Sequence, residues 1–80
     1  MSAAVAAVFL PLLDAEAIQD LAIETLRRRD KPIPLGDAIE ELTNAAPGQI
    51  RVSDARDAIW HLISSGVLLL DSDLSIWLRR

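Results

Sequence analysis

The side chains able to do chemistry are few and scattered. His61 is the only histidine, no cysteine occurs, and there are three glycines. A lone imidazole, with no second histidine, no His-Glu-x-x-His run and no calcium-loop spacing, offers no metal-ligand set. Three dispersed glycines build no phosphate-cradling loop. Ser53, Ser64, Ser65, Ser72 and Ser75 carry hydroxyls, but no base and orienting acid are arranged around them for nucleophilic attack. The carboxylates fit helix caps and solvated helix faces. Eighty residues also leave no second layer from which to build a cleft. The expectation is a chain that is not an enzyme, with no catalytic residue, no cofactor, no metal and no evident small-molecule substrate.

What remains is the chemistry of recognition. Arg27, Arg28, Arg29 and Lys31 form the one basic cluster. It reads either as a solvated helix end, where cations suit the helix dipole, or as a contact for phosphate or an acidic partner. The two tryptophans, Trp60 and Trp77, carry large apolar area and are favoured anchors in protein interfaces. Trp60 reads either as packing beneath or beside the C-terminal hairpin or as such an anchor.

The bulk numbers bound these readings. Twelve acids against eight bases give a net charge of −4. Phosphate neutralisation by Lys and Arg supplies most non-specific nucleic-acid affinity, so this balance disfavours DNA as the partner. Half the residues are hydrophobic (51%), which is enough for one core and one domain. A core this small is marginal without disulfides, so self-association is an expected source of further burial. Residues 1–13 are apolar and too short to span a bilayer, which takes roughly twenty residues. They lack the basic flank of a secretory signal, and Asp14 and Glu16 follow at once. A cytoplasmic chain with no membrane contact is expected. Residues Ala3 to Leu10 suggest a short helix that buries Val5, Val8 and Phe9, against either this chain or a second copy.

Helical periodicity then places the main elements over residues 14–80. Asp14 reads as an N-cap, and Leu13, Ala17, Ile18, Leu21, Ala22, Thr25 and Leu26 form one buried face, with Ile23 off it. Ile33 between two prolines is extended. Leu35, Ala38, Ile39 and Leu42 predict a second helix capped by Gly36, ending at a loop over Asn44 to Gly48. Ser53 reads as the cap of a third helix, over residues 53–65, that buries Ala55, Ala58, Ile59, Leu62 and Ile63. Gly66 supplies the left-handed stop. Two apolar runs around Asp71-Ser72-Asp73 predict a hairpin. With Ser72-Asp73 as its turn, Val67, Leu69, Ile76 and Leu78 face inward, and Leu68, Leu70, Ser75 and Trp77 outward; a slip of one residue exchanges the sets. The fold class is mostly α with a small C-terminal β-hairpin.

That order of elements, and the run from Ala58 to Leu68 in particular, resembles the winged helix-turn-helix superfamily. The resemblance covers Asp14 to Leu78 and implies three main helices followed by a wing. It also implies DNA binding, with the third helix in a major groove. Carried over by position, Arg56, Asp57, Trp60, His61 and Ser64 would face the groove, with Arg27, Arg28, Arg29 and Lys31 as further phosphate contacts. This sequence departs from that use. Asp54 and Asp57 share the third helix, Asp37, Glu40 and Glu41 the second, and the wing tip is acidic. The leading expectation is therefore a non-catalytic protein-interaction module, self-associating through Trp77, Leu68, Leu70, Trp60, Val5, Val8 and Phe9. A small DNA-binding transcriptional regulator is the alternative.

Overall fold

The structure is a computed structural model that describes residues 11–79. The helix expected over 3–10, with Val5, Val8 and Phe9, lies outside the described residues, as does Arg80.

Helix α1 (Ala15–Arg27) starts where the sequence predicts. The Asp14 carboxylate accepts a hydrogen bond from the Ala17 amide at 2.8 Å. Ile18, Ala22 and Leu26 are buried at intervals of four residues. Ile23, expected off that face, also packs against the core. The cause is the number of neighbours: α1 touches both other helices and the sheet, so its buried arc is wider than one stripe. Strand β1 (Ile33–Pro34) follows, then helix α2 (Leu35–Ala45) directly after it.

Two expected caps differ from those observed. Gly36 sits inside the first turn of α2, and Pro34 stands at the N-cap with no side-chain hydrogen bond. The Leu35 amide instead donates to the Leu74 carbonyl at 2.8 Å, so a tertiary contact replaces a local cap. The helix then runs through Asn44, expected in the loop. Helix α3 (Val52–Ser64) likewise begins ahead of Ser53, with Arg51 at its N-cap. Gly66 has φ +83° and ends it as expected. The loop between α2 and α3 also holds the incoming chain, since the Gln49 carbonyl accepts from the Leu13 amide at 2.9 Å.

Strands β2 (Leu68–Leu70) and β3 (Ser75–Leu78) form the hairpin, and the antiparallel sheet has the order β1-β3-β2. Pairing sets Leu68 opposite Leu78, Leu69 opposite Trp77 and Leu70 opposite Ile76. This register is one residue away from the expected one, and it corrects the strand faces. Leu68 is buried (1% exposed) and Leu70 packs against the core, while Leu69 turns outward. Ile76 and Leu78 face inward and Trp77 outward, as predicted. The cause is the loop. Asp71 pairs with Ser75, its amide donating to the Ser75 carbonyl at 3.1 Å, so Ser72, Asp73 and Leu74 form a three-residue connection. Such loops need a left-handed residue at their end. Leu74 fills that position with φ 61° and a side chain 57% exposed.

The core lies between the three helices and the inner sheet face. Among the described residues no polar or charged side chain is buried. Ile76 (0% exposed) sits on the central strand between Ile33 and Leu70, facing the helices.

Ile76→Ala should therefore cost about 2–5 kcal/mol in urea unfolding, from lost transfer energy and the cavity left behind. Leu74→Gly removes a left-handed backbone penalty of about 1–2 kcal/mol, partly offset by glycine's greater chain entropy. It should raise the melting temperature, and a fall would mean that the exposed Leu74 side chain contributes to the fold.

Candidate functional site

Three surfaces gather the residues that could recognise something. The first is the outer face of the sheet. Leu69 stands across from Trp77 on one side. On the other, the pairing of Ile33 with Ile76 sets Pro32 beside Trp77, one residue before the strand proper. Pro34 and Ser75 pair in the next row, and Asp71 follows across the hairpin. Strand alternation thus lays out a row of Pro32, Trp77 and Leu69 facing away from the helices. A shallow hollow of about 320 Å³, lined by Arg29, Asp30, Pro32, Trp77 and Leu78, lies at one side of this row. Trp77 is part-exposed, and Arg29 and Asp30 of the turn after α1 line the same hollow. Leu69 is the residue missed by sequence reasoning, and it replaces Leu68 and Leu70 on this face. Its signal was a register shift of one, which strand periodicity alone leaves open.

The second surface is the solvent face of α3. Trp60 is 40% exposed there, among Ser53, Arg56, Asp57 and Ser64. At 100° per residue it lies about 160° from both Ala58 and Leu62. That geometry sets Trp60 off the buried face of α3, on the side left 40% exposed. His61 and Arg56 are exposed on the same helix. To one side, α3 and the start of α1 enclose a cleft of about 350 Å³, with Asp54, Asp57 and His61 over a floor of Leu13, Ile18 and Ala58. The fixed charges of that cleft are carboxylates, the wrong sign for a phosphate backbone.

The third surface is the basic cluster. Arg27 pairs with Glu24 on its own helix, and Arg29 pairs with Glu41 on α2. Arg28 and Lys31 are exposed. The cluster lies at the C-terminal end of α1, whereas the acidic cleft uses the N-terminal end. Helix α1 is 13 residues long, so its two ends lie about 20 Å apart. The structure therefore does not bring Arg27, Arg28, Arg29 and Lys31 together with Arg56, Trp60 and His61 on one groove-facing surface.

Among the described residues, no three His, Cys, Asp or Glu side chains gather closely enough to hold a metal ion. No described helix is long and apolar enough to cross a membrane. No family model, curated protein or solved structure matches this chain.

The different cover of the two tryptophans is measurable, since the chain holds only these two. In Trp77→Phe, the remaining Trp60 should be quenched readily by acrylamide and emit at longer wavelength. In Trp60→Phe, the remaining Trp77 should be quenched less. Equal quenching of both would contradict the lower exposure of Trp77.

Proposed function

We propose that this chain is a non-catalytic, winged helix-like interaction module that self-associates through the outer face of its sheet. The observation that carries the reading is the row of Pro32, Trp77 and Leu69 on a face turned away from the core. Apolar side chains brought together on an outer sheet face mark an interface more often than a solvated surface. The winged helix-like label is supported by the order of elements and by β1 pairing on the far side of the central hairpin strand.

Trp60 supports a protein partner over DNA on the α3 face. An exposed tryptophan beside Asp57, with Asp54 on the flank, suits an apolar pocket with a cationic rim. The DNA-binding alternative would rest on Arg56, Trp60 and His61, with Arg27, Arg28, Arg29 and Lys31 as phosphate contacts. Two of those four cluster cations are already paired with carboxylates, and the cluster sits at the other end of α1.

Light scattering over a concentration series tests the reading. Trp77→Ser should abolish association and leave the circular dichroism spectrum unchanged. A wild-type chain that stays monomeric at millimolar concentration would overturn it. For the alternative, binding to random duplexes at low salt should be weak and nearly independent of salt. Micromolar affinity with a steep salt slope would favour DNA instead.

A further inference from the structure

The two ends of the sheet differ in charge. At its tip, the hairpin loop carries Asp71 and Asp73 and no cation. At the opposite end lie Lys31, just before Pro32, and Arg79, just after Leu78. The Arg79 amide donates to the Val67 carbonyl at 2.9 Å, which continues the hairpin ladder and fixes Arg79 at that end. Asp30 is the carboxylate in the adjacent hollow, and Arg29 there is paired with Glu41. The basic end thus keeps a surplus of one cation, from Lys31 and Arg79 against Asp30. Between the two ends lies the apolar row of Pro32, Trp77 and Leu69.

A strip that is acidic at one end, apolar in the middle and basic at the other is complementary to itself. A twofold axis through the middle, lying in the interface and running across the strands, turns a second copy end for end. Its acidic tip then lies over the basic end of the first copy, and the reverse contact forms at the same time. Trp77 of each copy meets the apolar row of the other. A twofold interface requires this reciprocity, in which one patch serves both copies. The other aligned twofold relation, with its axis along the strands, places tip on tip and stacks like charges at both ends.

We propose that the partner of the outer sheet face is a second copy of this chain, docked sheet to sheet with its strands reversed, so that Asp71 and Asp73 face Lys31 and Arg79. This rests on the self-association reading and adds its geometry. The contact is small. A patch three strands wide, at about 4.8 Å per strand, and about five residues long with its flanking charges has a footprint of about 240 Å². Stable complexes bury about 800 Å² per partner, so this pairing is weak and forms as concentration rises. Its charge contacts sit at the rim, where added salt screens them.

Sedimentation velocity at low salt tests the geometry with three proteins that keep the apolar row intact. The first is the wild type. The second reverses the tip with Ser72→Lys and Asp73→Lys, leaving Asp71 in place because its carboxylate holds the loop. The third reverses the other end with Lys31→Glu and Arg79→Glu. All the substituted positions are exposed, and circular dichroism checks that each variant folds.

The wild type should dimerise, and salt should weaken it. Each variant alone should associate at least about tenfold more weakly, since like charges now face each other. An equimolar mixture of the two variants should recover association, because both reciprocal contacts then pair opposite signs. A tip variant that dimerises as well as the wild type, or better, would overturn the reversed geometry and leave the self-association reading standing. A wild type that is monomeric throughout would overturn both.

Discussion

The Asp71 carboxylate accepts hydrogen bonds from the amides of Asp73 and Ser75, at 2.9 and 3.1 Å, and the Leu74 amide donates to the Asp71 carbonyl at 3.1 Å. These bonds close the hairpin in three residues and hold Leu74 at a positive φ. Loop length sets register, and register sets which side chains of each strand enter the core. Leu68 and Leu70 are inside because of this loop, and Trp77 has Leu69 beside it on the outside. The same loop carries the tip of the sheet to α2, where the Leu74 carbonyl accepts from the first amide of that helix. The backbone strain at Leu74 is therefore held from several sides at once.

The core built on this register is wholly apolar among the described residues. Ile76 and Leu68 from the sheet meet Ile59, Leu62 and Ala55 from α3, and Ile18, Ala22 and Leu42 from the other helices. With no buried polar group to satisfy, the interior gains from close packing without a desolvation penalty. Polar and charged side chains are left to the surface. There they divide into an acidic α1–α3 cleft, an acidic hairpin tip and a basic end of α1 where two of the four cations are paired with carboxylates. This separation is what weakens the nucleic-acid reading, because a phosphate backbone needs its cations on one continuous face.

Local physics was written plainly in the chain. Asp14 caps α1 and Gly66 ends α3 because each acts within one turn of its own position. The buried faces of the helices followed from a 3.6-residue period, and Ile18, Ala22, Leu42, Ala55, Ile59 and Leu62 are where that period sets them. The short extended piece at Ile33 followed from the prolines on both sides. The outward direction of Trp77 followed from strand alternation. Trp60 was open in the sequence, because a large apolar side chain beside an apolar arc fits both packing and exposure.

The tertiary structure decided the rest, wherever the answer lay in groups far apart along the chain. The cap of α2 comes from Leu74, thirty-nine residues after Leu35, so no local signal could name it. Arg29 meets Glu41 only because α1 and α2 pack together. Leu69 joined the candidate site through a single-residue register shift, in a run of three leucines that reads alike in either register. Sequence determined the elements of this protein, because helix period, caps and left-handed stops act over a few bonds. Only the folded chain determined its surface, because strand parity and charge pairing depend on which distant segments come to lie side by side.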